Sequence, residues 1–169
     1  MKGAVIYSSK TGNTKKVAET IKNALNEDFE IYSVSENPDP EDFDFIFMGY
    51  WVDKGTANEE AMKFMKTLNN KKMAVFATLG DYAHTDHAKE SLQKGIELLG
   101  ENCEVVSTFI CQGSIDPQLI AWMKKLPADH PHAPNPARIK RWEDASTRPN
   151  EEDLKNAAEF AKSVLAELV

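Results

Sequence analysis

Residues 9–14 read Ser-Lys-Thr-Gly-Asn-Thr and combine three hydroxyl side chains, one glycine and one amide. A short apolar segment precedes this hydroxyl loop, and a segment with apolar residues at helical spacing follows it directly. A loop in that position gathers backbone N–H groups at the positive end of a helix dipole, where a phosphate group can bind. Ser9, Thr11 and Thr14 would add hydroxyl donors, and Gly12 would let the backbone turn closely around the anion. The hydroxyl loop therefore predicts a phosphate site made of neutral donors, each worth roughly 1.5–3 kcal/mol toward a charged group.

Strand-like and helix-like segments alternate along most of the chain, which predicts parallel strands joined by crossover helices in a three-layer α/β sandwich. The predicted strands are Gly3–Ser8, Phe29–Val34, Phe43–Tyr50, Lys72–Thr78 and Cys103–Ile110. The predicted helices are Asn13–Asn26, Asn58–Leu68, Thr85–Leu99, Ile115–Lys125 and a final helix from Asn150 to Val169. Ligands of such sheets bind beyond the carboxyl ends of the strands, where three loops begin: Ser8–Thr14, Tyr50–Ala57 and Thr78–His84.

The hydroxyl loop resembles the phosphate loop of the flavodoxin family, whose pattern after the first strand is Ser/Thr-x-Thr-Gly-Asn-Thr. The match is complete, and the resemblance extends over residues 1–110 and, less closely, to the final helix. It implies a flavodoxin-like fold with a five-stranded parallel sheet of order 2-1-3-4-5. It also implies FMN as the cofactor, with the ribityl phosphate bound by the hydroxyl loop.

The same resemblance implies that the loops after the third and fourth strands flank the isoalloxazine ring. Each of these loops contains an aromatic residue, Trp51 in one and Tyr82 in the other, and such side chains stabilise a flat ring by stacking and apolar burial. The cofactor would supply the redox chemistry, and no side chain is predicted to be catalytic. The predicted cofactor-binding residues are Ser9, Lys10, Thr11, Gly12, Asn13, Thr14, Tyr50, Trp51, Val52, Asp53, Lys54, Gly55, Thr78, Leu79, Gly80, Asp81 and Tyr82.

Within the family, the loops Gly49–Ala57 and Thr78–Tyr82 look closest to the BilS-type branch, which comprises reductase-associated proteins of anaerobic bacteria. Two features depart from ordinary electron-carrier flavodoxins. The tip of the first flanking loop mixes a lysine with a carboxylate in Asp53-Lys54-Gly55, where an acidic tip is usual. The region after the fifth strand contains its own helix and then an irregular, proline-rich excursion over residues 127–149, within a single domain of residues 1–169. These departures leave the redox partner open.

Composition restricts the functional class. The chain has 169 residues, of which 41% are hydrophobic and 28% charged, as in soluble globular proteins. It contains no apolar run long enough for a membrane span and no secretory signal, so the cytoplasm is the expected compartment. A net charge of −7 without a basic stripe argues against a nucleic-acid partner. Cys103 and Cys111 are expected to be buried thiols rather than a disulfide.

Several histidines and tryptophans have more than one interpretation. His84-Thr85-Asp86-His87 could suggest a metal site with Asp81, but it is better explained as a loop-to-helix junction, and no metal is predicted. Trp122 is expected in the core, whereas Trp142 either covers the ligand pocket or forms a subunit contact. The basic cluster of Arg138, Lys140 and Arg141 is expected to pair with surface acids.

Three functions agree with these observations. The first is an FMN-binding protein that carries electrons to or within a reductase system and docks on a redox partner protein. The second is an NAD(P)H-dependent FMN oxidoreductase that acts on a quinone or a similar acceptor. The third is a flavodoxin-like interaction module without cofactor, which the intact hydroxyl loop disfavours.

Overall fold

The structure is a computed structural model that describes residues 1–169. Its strands are β1 (Gly3–Tyr7), β2 (Phe29–Ser33), β3 (Phe45–Asp53), β4 (Thr56–Ala57), β5 (Lys72–Leu79) and β6 (Glu104–Gln112). Its helices are α1 (Asn13–Ala24), α2 (Glu59–Met65), α3 (Asp86–Ile96), α4 (Pro117–Met123), α5 (Pro136–Ala145) and α6 (Glu151–Leu168). None of these helices is both long enough and apolar enough to cross a membrane.

The five long strands are parallel and lie in the order β2-β1-β3-β5-β6. The predicted order 2-1-3-4-5 is confirmed, because β5 and β6 are the predicted fourth and fifth strands. One short strand was not predicted. The addition is β4, which pairs antiparallel with the end of β3 through Val52 and Asp53. Lys54 and Gly55 form the two-residue turn between them with φ values of 52° and 77°. Positive φ at both positions is what a type I′ hairpin requires, and glycine provides it without strain.

Successive side chains of a strand point to opposite faces of the sheet, and here both faces pack against helices. Phe45 and Phe47 belong to the cluster that packs against α1 and α6. Ile46 and Met48 belong to the cluster that packs against α2 and α3. The sheet is thus the middle layer of a three-layer α/β sandwich, as predicted.

Part of the excursion predicted to be irregular is a helix. Asn135 accepts a hydrogen bond from the Arg138 N–H and caps α5, and Pro136 occupies its first turn. Proline is favoured at this position because the first N–H groups of a helix have no intrahelical acceptor. The proline-rich composition had predicted irregular structure here, although this proline begins a helix.

The segment between β6 and α6, which contains the excursion, starts and ends at neighbouring points of the fold. The Ser114 N–H donates to the Arg148 carbonyl at 2.8 Å. The Arg148 guanidinium in turn donates two hydrogen bonds of 2.5 Å to the buried carboxylate of Asp153, near the start of α6. These bonds tie the end of the excursion both to the loop after β6 and to the last helix.

The two cysteines differ in their environment, and this predicts their reactivity. Cys111 is buried, and burial raises the pKa of its thiol to about 12, whereas Cys103 is half-buried. At pH 8 only about one Cys111 in ten thousand is then a thiolate, the reactive form. We expect a thiol reagent to label one cysteine per native chain and two per unfolded chain. In the control variant Cys103→Ser, rapid labelling of the native chain would contradict the expectation.

Candidate functional site

The hydroxyl loop leaves the carboxyl end of β1 and leads directly into α1. Gly12 is the residue before the helix, with φ of 98°, and the helix has neither a side-chain cap nor an acidic residue in its first turn. A Cβ built on Gly12 would meet no atom within 4 Å, so the space beside the loop is open. The positive end of the α1 dipole is therefore not neutralised by the protein.

Most backbone N–H groups of this loop have no acceptor within the protein. The Gly12 N–H donates to Ser9 Oγ at 3.1 Å. The N–H groups without a protein acceptor are those of Ser9, Lys10, Thr11, Asn13, Thr14 and Lys15. Such a cluster of free donors at a helix N-terminus suits a phosphate or another oxyanion.

Side chains of the loop fasten it to its neighbours. Asn13 Nδ2 donates to the Ser114 carbonyl at 2.7 Å, and Ser114 Oγ donates to Asn13 Oδ1 at 3.2 Å. The buried hydroxyls of Thr14 and Thr78 share a hydrogen bond of 2.9 Å. The side chain of Asn13 is thus used within the protein, which leaves its backbone N–H for a ligand.

The hydroxyl loop opens onto a cavity of about 510 Å³, which we call the main cavity. This volume lies within the range of about 300–1,000 Å³ that is usual for cofactor sites. Eleven of the predicted cofactor-binding residues line it: Ser9, Lys10, Thr11, Asn13, Thr14, Trp51, Val52, Thr78, Leu79, Gly80 and Asp81. Loops from the carboxyl ends of β1, β3 and β5 therefore meet at one site.

The other predicted residues do not line the main cavity. Gly12 belongs to the hydroxyl loop, and the turn residues Asp53, Lys54 and Gly55 lie at the tip of the β3–β4 hairpin. Tyr50 lies in the core, where its hydroxyl is 3.3 Å from two carbonyls of α3. Burial raises the pKa of its phenol.

Tyr82 connects the loop after β5 to α5. Its hydroxyl donates to Asp144 Oδ2 at 2.7 Å, and its ring stacks on His84 at a centroid distance of 5.8 Å. Lys140 donates to the same carboxylate at 3.2 Å. Tyr82 thus anchors α5 beside the main cavity and is not one of the residues that form its wall.

Residues of α3, α4 and α5 and of the loop after β6 complete the wall, and none of them was among the predicted cofactor-binding residues. They are His87, Gly113, Ser114, Ile115, Asp116, Leu119, Met123, Arg141 and Trp142. Gly113–Asp116 could have been found, because β6 is also a parallel strand and its carboxyl end must reach the same edge. Trp142 is only 5% exposed and lines the cavity, which agrees with one of the two roles predicted for it, that of covering the pocket. Trp122 is 51% exposed, so its predicted place in the core is wrong.

Two ion pairs balance the fixed charges of the cavity wall. Lys10 Nζ lies 3.6 Å from Asp116 Oδ2, and Arg141 Nη1 lies 3.9 Å from Asp81 Oδ1. The first pair joins the hydroxyl loop to the cap of α4, and the second joins the loop after β5 to α5. Such partly exposed pairs contribute little to stability, but they leave the free N–H groups as the main attraction for an anion.

The contact between Tyr82 and Asp144 predicts that the stability of the fold falls at both low and high pH. Hydrogen bonds from Tyr82 and Lys140 lower the pKa of Asp144, so its contribution to stability is lost as the pH falls through that lowered value. The hydrogen bond to Asp144 raises the pKa of Tyr82, so its contribution is lost as the pH rises through the raised value. We expect Asp144→Asn to shift one tyrosine transition, followed by tyrosinate absorbance, to lower pH.

The pKa values of the other three tyrosines are also raised, so the transition that shifts must be shown to belong to Tyr82. Tyr82→Phe should remove the transition that Asp144→Asn shifts and leave the others in place. A titration of Asp144→Asn that superimposes on that of the unmodified chain would contradict the predicted contact.

A second cavity of about 430 Å³ adjoins the main cavity. The two share Val52, Leu79, Gly80, Asp81 and His87, and Lys54 and Lys94 line the second one alone. Neither lysine forms an ion pair. No group of three or more His, Cys, Asp or Glu side chains is arranged to hold a metal ion.

Comparison with known proteins agrees with this geometry. A family model described as the flavodoxin domain matches residues 4–162. The flavodoxin-like domain-containing protein BilS of Clostridioides difficile is 34% identical over 98% of this chain and 97% of its own length. An uncharacterised protein of Methanocaldococcus jannaschii is 31% identical over 98% of this chain and 99% of its own length.

Solved structures have the same fold at lower sequence identity. Oxidised flavodoxin 1 from Bacillus cereus superimposes with a TM-score of 0.62 at 16% identity, over 100% of both chains. A flavoprotein from Lactobacillus acidophilus, solved in complex with FMN, gives a TM-score of 0.50 at 20% identity, over 72% of this chain and 97% of its own. The family match over most of the length and the two full-length relatives lead to one conclusion: this chain belongs to the flavodoxin family, as its hydroxyl loop predicted.

Proposed function

We propose that this protein binds FMN in the main cavity and carries electrons to or within a reductase system. The observation that supports this most strongly is the set of free N–H groups in the hydroxyl loop, which are available to a phosphate and have no other acceptor. The flavoprotein of the same fold from Lactobacillus acidophilus was solved with FMN, which supports the choice of ligand.

The phosphate would be held by neutral donors. The hydroxyls of Ser9 and Thr11 are available to it, as are six backbone N–H groups, those of Ser9, Lys10, Thr11, Asn13, Thr14 and Lys15. The Thr14 hydroxyl, already hydrogen-bonded to Thr78, can turn toward the same ligand or steady the loop. Since Lys10 is paired with Asp116, the phosphate would be bound by directed hydrogen bonds rather than by a salt bridge to this lysine.

The rest of the main cavity offers aromatic and apolar surface for a flat ring. Trp51 and Trp142 line it, together with Leu79, Leu119 and Met123. Such surface stabilises an isoalloxazine ring by stacking and by exclusion of water. When bound, the flavin supplies reversible storage of electrons, and the protein's part is to bind it, orient it and set its electrostatic surroundings.

The proposal is tested with purified protein and two ligands. The protein should be yellow as isolated and should release FMN when denatured. Apoprotein should bind FMN at least tenfold more tightly than riboflavin, which lacks only the phosphate, because several charged hydrogen bonds are then lost. Equal affinities for the two, or no binding of either, would refute the proposal.

The second cavity supports one alternative, an FMN oxidoreductase that takes electrons from NAD(P)H. It adjoins the main cavity and contains two unpaired lysines, so it offers a second small anionic molecule room beside the flavin. Mixing with NADPH under anaerobic conditions separates the two functions. Prompt loss of the visible absorption of the flavin favours the oxidoreductase, and an unchanged spectrum favours the carrier.

A further inference from the structure

Away from the chain ends, the exposed large hydrophobic residues lie only in the segment that follows β6. They are Leu119, Trp122 and Ile139, with exposed fractions of 45%, 51% and 38%. The first two lie on α4, where Met123 is the only buried residue. Exposed tryptophan and leucine on one short helix indicate an interaction surface, because aromatic residues are enriched where proteins meet.

This apolar surface lies at the rim of the main cavity. Leu119 and Met123 line that cavity, and Trp122 lies between them on the same helix. Asp116, which caps α4, also lines the cavity. A protein seated on α4 would therefore be adjacent to the ligand in the main cavity, as electron transfer requires.

The segment of the chain that contains α4 differs in the sign of its net charge from the rest of the chain. Residues 115–149 contain six Lys and Arg against four Asp and Glu, whereas the remaining residues contain 14 against 23. Lys124 and Lys125 follow α4 directly, are exposed, and form no ion pair. The apolar side chains thus have a basic border on an otherwise acidic protein.

We propose that Leu119, Trp122, Lys124 and Lys125, which we call the α4 surface, form the docking site for a redox partner whose own surface is acidic around an apolar centre. This inference rests on the proposed function. Opposite charges on the two proteins speed their encounter, and the apolar contact stabilises the complex. A basic partner would be drawn instead to the acidic remainder of the molecule, away from the cavity.

Electron transfer to two acceptors of opposite charge tests the docking site. The flavin-loaded, chemically reduced protein is mixed in a stopped-flow instrument with an acidic plastocyanin or a basic cytochrome c. In each reaction one electron leaves the flavin and reduces Cu(II) to Cu(I) or Fe(III) to Fe(II). We expect the rate with plastocyanin to fall as salt is added, because salt screens the attraction between opposite charges.

Charge reversal at the two lysines should change the preference. Lys124→Glu/Lys125→Glu should slow the reaction with plastocyanin about tenfold and speed that with cytochrome c, in line with the size of electrostatic steering. The matched control Lys66→Glu/Lys162→Glu makes the same change of charge at exposed lysines away from α4 and should leave the ratio of rates unaltered. A ratio unaffected by the first variant, or equally affected by both, would overturn the proposal.

Binding measured without flavin separates this proposal from the proposed function. Plastocyanin added to isotope-labelled apoprotein should shift the amide signals of α4 and the indole signal of Trp122, and Trp122→Ala should weaken the binding. Shifts centred elsewhere, or none at all, would overturn the docking site. A protein that shows the α4 shifts but holds no flavin would leave the docking site standing and refute the proposed function.

Discussion

Thr11→Asp is expected to weaken FMN binding by about two orders of magnitude or more, while riboflavin binding stays nearly unchanged. Thr11 lies in the hydroxyl loop and lines the main cavity. The substitution removes a hydroxyl donor worth roughly 1.5–3 kcal/mol to a charged group. It also adds a carboxylate, whose repulsion with another unit charge about 4 Å away is roughly 1–4 kcal/mol. Titration of apoprotein with each ligand, followed by flavin fluorescence, gives both affinities.

Thr11→Asn is the matched control, because asparagine has the shape of aspartate without its charge. It should weaken FMN binding by roughly tenfold to a hundredfold, which a lost donor of about 1.5–3 kcal/mol implies, and therefore less than aspartate does. The difference between the two variants then reports the charge of the bound group. If aspartate and asparagine had the same effect, the hydroxyl loop would not be the phosphate site.

Trp142→Ala is expected to destabilise the apoprotein by about 3 kcal/mol and to weaken the binding of FMN and riboflavin alike. Trp142 is 5% exposed, and truncation of a buried tryptophan removes its packing and leaves a void. Since proteins are stable by only about 5–15 kcal/mol, the change should be plain in urea unfolding. The loss of affinity should not depend on the phosphate, because we propose that this side chain contacts the ring.

Trp122→Ala supplies the comparison for this effect. The same atoms are removed from a side chain that is 51% exposed, so the change in unfolding free energy should stay within about 0.5 kcal/mol. Unfolding of apoprotein is the proper measure, because a bound ligand would add its own stabilisation. If the two alanine variants unfold alike, Trp142 does not pack as the structure describes.

The sheet and the hydroxyl loop were predictable because their signals are local. Phe45–Met48 is a continuous apolar run, typical of a strand buried on both faces, and the helix begins directly after Gly12. Strand, loop and helix therefore follow from neighbouring residues. The loops at the carboxyl ends of β1, β3 and β5 meet because parallel strands end at one edge. All eleven predicted site residues that line the main cavity come from these loops or from the strand and helix ends beside them.

The excursion was less predictable because long-range contacts position it. Nothing near Trp142 in the sequence shows that the distant Tyr82 fastens α5 beside the cavity through Asp144. Similarly, the motif around Tyr50 does not reveal that this side chain points into the core against α3. There the absence of a side chain at Gly95 makes room, since a Cβ would lie 2.1 Å from the Tyr50 hydroxyl oxygen.

The hydrogen bond between Ser114 and Arg148 makes the intervening stretch a module. The nitrogen of Ser114 and the carbonyl oxygen of Arg148 lie 2.8 Å apart, so the two ends of this stretch are adjacent. The stretch can therefore be lengthened, shortened or exchanged while the sheet and the hydroxyl loop keep their places. Evolution can thus vary the wall and the rim of the cavity independently of the part that binds the phosphate. A protein engineer could graft the corresponding stretch of a relative between these two positions to change the wall of the cavity and the α4 surface together.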